Sequence, residues 1–128
     1  MDEYVKDNNL LSIDLIKCDV EGHELEVFQG GCDTLKQFKP VVMFECEARH
    51  NGPENVVAVF DYLFSLNYKG CFYNGYSFVD LDQFDLVKYQ TGPNRKIYVN
   101  NFFFKFNFQS FSIVSSAFAF ITLNINVR

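Results

Sequence analysis

Two apolar runs, each followed at once by acidic side chains, constrain the fold of this chain more than any other feature. The first is Ile13–Val20, which carries Asp19 near its end, and the second is Val41–Glu47, which closes with Glu45 and Glu47. Apolar residues at adjacent positions in runs of this length indicate strands that are covered on both faces. We therefore predict two buried strands at 13–20 and 41–47, with carboxylates at their ends.

The rest of the chain alternates between helical and extended patterns. An apolar stripe at helical spacing predicts a helix over 55–66, and a third strand is predicted over Tyr68–Tyr73. The dipeptide Asn74-Gly75 predicts a tight turn into a short strand. Residues 97–106, rich in Tyr, Val and Phe, predict a last strand. This order favours a parallel sheet covered by helices, with an antiparallel pair at one edge. Shorter helical segments are expected at 23–28 and 33–38, and residues 2–10 are expected to form a short helix or a lead-in.

Charge and cysteine usage exclude several classes of function. The chain has 11 basic and 16 acidic residues, a net charge of −5 and no cluster of Lys and Arg, so we expect no nucleic-acid partner. Its four cysteines form no CxxC pair and neither histidine lies at zinc-ligand spacing, which favours free buried thiols over a metal site. Reduced thiols, with no signal peptide and no membrane span, predict a cytoplasmic protein.

The acidic residues that follow the two strands form the candidate site. In an open parallel sheet, ligands bind outside the carboxyl ends of the strands. Asp19 and Glu21 close the first strand, Glu45 and Glu47 close the second, and Glu24 follows in the first helical turn. Converging carboxylates can act as a general base, hold a cation or bind substrate hydroxyls. Alternatively, Glu24 and Glu47 face water at helix starts, which is the interpretation that we favour for Glu47.

The turn after the first strand contains two further candidates. Gly22 permits the tight turn that a helix starting directly after a strand requires, and it leaves room for a ligand. His23 is the one imidazole near this rim, although a solvated position at the helix start is the commoner role. Glu26 is expected to face water. The sequence contains no GxGxxG, GxxxxGK[ST] or GxSxG motif, so it encodes no recognisable loop for a phosphate or a nucleotide cofactor.

One segment carries a resemblance to a known family. The sequence KCDVEGHE at Lys17–Glu24, preceded by an apolar run, resembles the signature of the FkbM-like methyltransferase family. Lys39–Glu45 resembles the next strand of that family, a Pro-led apolar run ending in Glu, and Tyr98–Phe104 resembles its closing strand. We therefore interpret residues 1–106 as a partial FkbM-like methyltransferase domain and residues 107–128 as an extension of unknown role.

The resemblance implies an S-adenosylmethionine-dependent O-methyltransferase of class I, which has a Rossmann-like sheet of seven strands with helices on both faces. It implies that this chain forms the C-terminal half of that sheet, parallel strands with an antiparallel closing strand, without the glycine-rich half that binds the cofactor. Asp19 would orient the acceptor hydroxyl or hold a cation. The site residues are Asp19, Glu21 and Glu45 for catalysis, Gly22 for the cofactor, and Glu24, with the neighbouring His23, for the substrate.

Three hypotheses for the function remain open at this point. In the first, the chain is a fragment of an enzyme that methylates a hydroxyl of a sugar or small metabolite. In the second, it is a catalytically silent truncated product that acts as a binding or partner module. In the third, its acidic rim binds a divalent cation or a polyol. In each case the strand at 13–20 has one unpaired side, where self-association is expected unless the apolar tail Phe111–Leu123 covers it.

Overall fold

Five strands form a single mixed sheet in the computed structural model of the protein, which describes residues 1–106. Across the sheet the strand order is β1-β2-β5-β3-β4. The α/β class predicted from the sequence is confirmed, whereas the predicted extension at 107–128, with its apolar tail, lies outside the described residues. The strands are β1 (Leu15–Cys18), β2 (Val41–Glu45), β3 (Tyr68–Tyr73), β4 (Phe78–Asp80) and β5 (Asn101–Phe106).

The sheet contains one parallel pair, although three of its strands run in the same direction. β1 and β2 are parallel neighbours, while β5 lies antiparallel between β2 and β3. The predicted parallel core at 13–20, 41–47 and 68–73 is therefore correct in strand direction and wrong in adjacency. The closing strand lies inside the sheet and is antiparallel, as predicted. It begins at Asn101 rather than at residue 97, because Arg95–Ile97 forms a turn of 3-10 helix.

Helices precede or connect most of the strands. The predicted helix over 55–66 is confirmed, and it starts earlier because Gly52 has a φ of +86° and is followed by Pro53, a residue that suits the first position of a helix. Among residues 1–106, no helix is long and apolar enough to cross a membrane. The helices are α1 (Asp2–Asp7), α2 (Glu24–Gln29), α3 (Cys32–Phe38), α4 (Ala48–Asn51) and α5 (Pro53–Ser65), with short helical turns at Leu81–Gln83 and Val87–Thr91.

The hydrophobic core lies on one face of the sheet. Burial alternates along β1 and β2, as expected for strands with one covered face. Phe28 of α2 and Phe60 of α5 both contact Phe44, so these two helices cover the same face. The prediction that the strands are covered on both faces is wrong within the described residues, because side chains of the opposite face are only half-buried. Examples on that opposite face are Lys17, Met43 and Phe103.

β3 and β4, which lie at one side of the sheet, form a hairpin, as the dipeptide Asn74-Gly75 predicts. Gly75 has a φ of +98°, and the side chain of Asn74 accepts hydrogen bonds from the backbone N–H groups of Tyr76 at 2.9 Å and Ser77 at 3.0 Å. An asparagine that bonds its own turn in this way stabilises the reversal of the chain. The hairpin projects exposed aromatic side chains beside the half-covered face of the sheet, including Tyr73 and Phe78.

Candidate active site

The carboxyl ends of β1 and β2 meet at one edge of the sheet. The parallel register pairs Cys18 with Phe44, so Asp19 and Glu45 follow at the same edge, as the sequence predicts. Neighbouring strands are about 4.8 Å apart, which brings the two residues into the same region. The side chain of Asp19 is exposed and that of Glu45 is half-buried. The geometry therefore supports a shared acidic edge.

The loop after β1 has a backbone conformation that glycine favours. Glu21 and Gly22 have φ values of +51° and +102°, both in the left-handed region. The N–H of Gly22 donates to Oε1 of Glu24 at 3.1 Å, and its carbonyl accepts from Nδ2 of Asn55 at 3.4 Å. Both backbone groups of Gly22 are thus engaged within the protein. The loop is tethered to α2 on one side and to α5 on the other.

Glu24 is buried, with 1 % of its surface exposed, so the interpretation in which it faces water is wrong. Its Oε2 atom has no hydrogen-bond partner among the described residues. The Cys18 and Cys46 thiols lie nearby: burial, with the charge of Glu24 as a smaller cause, raises the pKa of Cys18 to about 12 and raises that of Cys46 as well. Both thiols therefore stay protonated at neutral pH. Glu24 holds the loop and is shielded from solvent.

Replacing Glu24 tests this structural role. Glu24→Ala should lower the free energy of unfolding by about 1–3 kcal/mol, because it removes the buried acceptor of the Gly22 N–H group. Glu24→Gln keeps an acceptor oxygen in the same place and should cost less than half as much. Denaturant unfolding of the two variants gives the comparison. Equal losses would show that the charge of Glu24, rather than its hydrogen bond, stabilises the loop.

Glu47 is the most extensively hydrogen-bonded carboxylate of this edge, and the interpretation in which it faces water is wrong. Only 7 % of its surface is exposed. Nε of Arg49 lies 2.7 Å from Oε2, and Nη2 of Arg49 donates to Oε1 at 2.9 Å. The hydroxyl of Tyr98 donates to Oε2, and Nδ2 of Asn100 donates to Oε1 at 3.3 Å. Both carboxylate oxygens are therefore occupied.

These contacts fix the charge states of Glu47 and its neighbours. Burial alone would raise the pKa of Glu47, but the hydrogen bonds from Arg49, Tyr98 and Asn100 lower it below its usual value. Burial and the hydrogen bond to Glu47 raise the pKa of Tyr98 to about 12. At neutral pH, Glu47 is ionised and Tyr98 keeps its proton. Tyr98 therefore donates a hydrogen bond in this cluster and cannot serve as a base at neutral pH. Only an ionised carboxylate of this edge can accept a proton there.

Asn100 connects the predicted site to this cluster. Its Nδ2 atom donates to Oε2 of Glu45 at 3.2 Å as well as to Oε1 of Glu47, so both carboxylates lie within reach of one amide nitrogen. Glu47 is the main cause of the raised pKa of Arg49, and the charge of Glu21 adds a smaller contribution. The structure therefore brings Glu45 together with residues that the sequence analysis did not select.

Gln90 holds the segments around this cluster in place. It is buried and donates through Nε2 to the carbonyls of Cys46 at 2.8 Å and Val99 at 2.9 Å, while its Oε1 accepts from the N–H of Ala48 at 2.8 Å. One side chain thus joins the end of β2, the start of α4 and the approach to β5. A buried amide with three satisfied bonds is a specific structural link. Gln90 gives no sequence signal, because it lies in a polar segment without periodicity.

The remaining candidates are less enclosed. His23 is exposed at the start of α2, and its side chain makes no capping hydrogen bond. Asp19 is exposed next to Cys18, whose pKa its charge helps to raise. Among residues 1–106, no group of three His, Cys, Asp or Glu side chains is arranged to hold a metal ion.

Two adjoining cavities open around Tyr98 and Asn100. The polar cavity, of 390 Å³, is lined by Glu47, Arg49, Arg95, Tyr98 and Asn100. The aromatic cavity, of 440 Å³, shares Tyr98 and Asn100 with it and extends over the half-covered face of the sheet. A small molecule thus has room at this edge, with charged groups on one side and rings on the other. The further lining of the aromatic cavity includes Met43, Tyr73, Phe78 and Phe103.

The family of the chain follows from a comparison with models of known domains. The model of the methyltransferase FkbM domain matches residues 1–70, which include the loop after β1 and all of β2. The chain belongs to the FkbM methyltransferase family. The resemblance stated from the Lys17–Glu24 motif is thereby confirmed. The match ends within β3, so the membership of β5 in the same domain, and the boundary at residue 106, stay predictions. No curated protein and no solved structure shows a significant match.

In this FkbM-family chain, the pH dependence of stability reports the charge state of Glu47, a carboxylate in the wall of the polar cavity. Its pKa is lower in the folded protein than its ordinary value of 4.5. The resulting stabilisation is present above that value and is lost as the pH falls through the folded pKa. Unfolding free energies of the unsubstituted chain and Glu47→Gln should differ most above about pH 5 and converge toward pH 3.

Tyr98→Phe serves as the intermediate variant in the Glu47 experiment. It removes one of the donors that lower the pKa of Glu47, so its pH dependence should be weaker than that of the unsubstituted chain and stronger than that of Glu47→Gln. Chemical denaturation at half-unit pH steps measures the three curves. Curves that stay parallel between pH 3 and 7 would contradict the assignment of Glu47 as an ionised, hydrogen-bonded group.

Proposed function

We propose that this FkbM-family chain forms the acceptor side of a class I, Rossmann-like methyltransferase and positions a hydroxyl of a sugar or small metabolite for O-methylation. The observation that carries the proposal is the meeting of β1 and β2 at one edge, where Asp19, Glu21 and Glu45 follow parallel strands. Asn100, which donates to Glu45, lines two cavities there. This is the edge at which sheets of this class bind ligands. Methyltransferase family membership supplies the type of reaction.

The carboxylates of this edge can perform the proton chemistry of hydroxyl methylation. As the hydroxyl oxygen bonds to the methyl carbon, its proton has to pass to a base within hydrogen-bonding reach. In this proposal Asp19 and Glu45 orient the hydroxyl and accept that proton, because Glu47 is already occupied by three donors. Glu21 contributes negative charge near Arg49, while Glu24 acts on the substrate through the loop that it holds. His23 is an exposed contact for the substrate.

The described residues fit the cofactor implied by the family only in part. When bound, S-adenosylmethionine supplies an electrophilic methyl group, and exposed carboxylates such as Asp19 and Glu21 suit its positive charges. Gly22, which the motif assigns to the cofactor, has its N–H and carbonyl engaged by Glu24 and Asn55. The sequence holds no glycine-rich phosphate or nucleotide loop. We therefore propose that a second polypeptide segment provides most of the cofactor site.

A second candidate function is that of a catalytically silent partner module. It is favoured by the position of β1, which is the edge strand of the sheet within the described residues. An edge strand offers backbone groups for pairing with another chain. The partner module would use this lateral side of β1, whereas O-methylation would use the carboxyl ends of β1 and β2. The two proposals differ in whether the assembled complex transfers a methyl group. A cytoplasmic location is proposed on the basis of the cysteines Cys18, Cys32, Cys46 and Cys71, which are free thiols.

The test is methyl transfer by a reconstituted complex. The chain is co-expressed with the product of the reading frame immediately upstream, and transfer of labelled methyl from S-adenosylmethionine to a panel of hydroxylated acceptors is measured. We expect transfer in the complex, and a loss of about 100-fold or more in Asp19→Ala. The matched control is Glu26→Ala, an exposed acid on α2, which should retain full activity. A stable complex without transfer would favour the silent partner module.

A further inference from the structure

The polar cavity carries one positive charge that no carboxylate of its lining offsets. Its lining contains Glu47, Arg49 and Arg95, which gives one negative and two positive charges, in a chain whose net charge is −5. Arg49 forms an ion pair with Glu47, whereas no carboxylate forms one with Arg95 among residues 1–106. Arg95 therefore has no carboxylate at ion-pair distance in that part of the chain.

Local contacts hold the Arg95 side chain at the cavity. Its guanidinium lies over the ring of Tyr98, with 5.7 Å between the guanidinium carbon and the ring centroid, and Nη1 lies 3.5 Å from the carbonyl of Gln90. Asn94 fixes the turn from which Arg95 projects, because its side chain accepts from the N–H of Lys96 at 3.2 Å. A guanidinium fork placed in this way, with most donors unused, suits a carboxylate or phosphate.

The neighbouring aromatic cavity offers a contact for an apolar body. The rings of Phe78 and Phe103 meet edge to face with centroids 5.2 Å apart, and those of Tyr73 and Phe78 lie 5.4 Å apart. Tyr73 and Phe78 are 48 % and 47 % exposed, so a bound molecule would remove substantial apolar area from water. Tyr98 and Asn100 line both cavities, and one ligand can therefore occupy the two together.

We propose that the methyl acceptor is an amphipathic anion, whose carboxylate or phosphate is bound by Arg95 beside Arg49 and whose apolar body lies against Phe78 and Phe103. This inference rests on the proposed function in taking the ligand of these cavities to be the acceptor. A neutral polyol suits them less well, because the oxygens of Glu47 already accept from Arg49, Tyr98 and Asn100. The cavity residue without an ion-pair partner is the cation Arg95, and the adjoining cavity is aromatic.

Binding of two phosphate probes, measured without cofactor, tests the proposal. Phenyl phosphate and inorganic phosphate are titrated into the full chain, and dissociation constants are obtained from shifts of backbone amide resonances over Tyr98–Asn101. Phenyl phosphate should bind about tenfold more tightly, since only its ring reaches the aromatic cavity. Methyl glucoside, a neutral polyol, should produce no shift at the same concentrations.

Four variants separate the two halves of the ligand. Arg95→Gln should weaken both phosphate probes about tenfold, whereas Lys96→Gln, an exposed cation next in the chain, should change neither by more than about twofold. Phe78→Ala should weaken phenyl phosphate about fivefold and leave inorganic phosphate unchanged. Tyr76→Ala is its control, because Tyr76 is 93 % exposed at the hairpin tip and lines neither cavity.

The outcomes are decisive for the acceptor class. Equal effects of Arg95→Gln and Lys96→Gln, or equal affinity for the two phosphate probes, would overturn the proposal, as would tighter binding of methyl glucoside. Failure of the proposed function looks different: the probes bind as expected, but the co-expressed complex transfers no methyl group. Methyl transfer to neutral acceptors, with no binding of the phosphate probes, would contradict an anionic acceptor and support the methyltransferase function.

Discussion

Titration of the purified 128-residue chain with S-adenosylmethionine should give no binding at micromolar concentrations. Affinity for such a cofactor comes from a glycine loop, whose amides approach the ligand, and from a carboxylate on the ribose hydroxyls. The sequence has no such loop, and the N–H of Gly22 is already bonded to Glu24. Each lost polar partner costs about 1–3 kcal/mol, and several are lost, so affinity should fall by several powers of ten. Isothermal titration calorimetry measures it.

Charge at the edge does not replace the missing contacts, and it defines the control for the cofactor titration. The exposed carboxylates Asp19 and Glu21 attract the positive groups of the cofactor and repel the carboxylate of its methionine moiety, so the two effects oppose each other. Asp19→Ala should therefore be indistinguishable from the unsubstituted chain in the same titration, although it should inactivate the reconstituted complex. A micromolar dissociation constant for the chain alone would show that residues 1–128 contain a cofactor site that neither the motif nor the geometry reveals.

Phe44→Ala should destabilise the protein more than Glu24→Ala or Glu47→Gln does. The Phe44 ring is fully buried and lies 5.2–6.4 Å, centroid to centroid, from four other rings, those of Phe28, Phe60, Phe102 and Phe104. Removing such a ring leaves a cavity that a packed core fills poorly, and Phe44→Ala should cost about 3–5 kcal/mol. That is a large part of the 5–15 kcal/mol typical of a domain. Thermal unfolding should show a fall in Tm of about 12 °C or more.

Phe103→Ala is the matched control for Phe44→Ala. Phe103 lies in β5 beside the strand that carries Phe44, but its side chain is half-buried on the opposite face of the sheet. Because fewer packed atoms surround it, its removal should cost less than half as much. Equal losses for the two variants would contradict a core confined to one face, and would indicate that the second face is also covered in the whole protein.

The features that the sequence predicts correctly are those set by neighbouring residues. The strand over Tyr68–Tyr73 is found with the predicted bounds, and the turn at Asn74-Gly75 is found where the dipeptide places it. The helix over 55–66 depends on a stripe of apolar residues within one segment. In each case the residues that form the sequence pattern are also those that determine the local structure, so the pattern predicts the element correctly.

The features that it misses depend on contacts between distant segments. Glu47 resembles any acid at a helix start, and its burial becomes evident only when Tyr98 and Asn100, more than 50 residues away, approach it. Gln90 acts across 44 residues to reach Cys46. Likewise, an apolar run shows that a strand is buried on at least one face, but coverage of the second face depends on helices elsewhere. The predicted sharing of an edge by Asp19 and Glu45 succeeded because parallel pairing alone determines it.

The central position of β5 has a consequence for synthesis on the ribosome. β5 is the last of the described strands to be translated, yet it pairs with both β2 and β3 and so joins the β1–β2 pair to the β3–β4 hairpin. Until it emerges, β2 and β3 each have an unpaired strand edge, and the aromatic rings that pack against β5 lack that cover. Such surfaces bind chaperones and aggregate readily. The yield of folded protein should therefore depend on how quickly β5 leaves the exit tunnel.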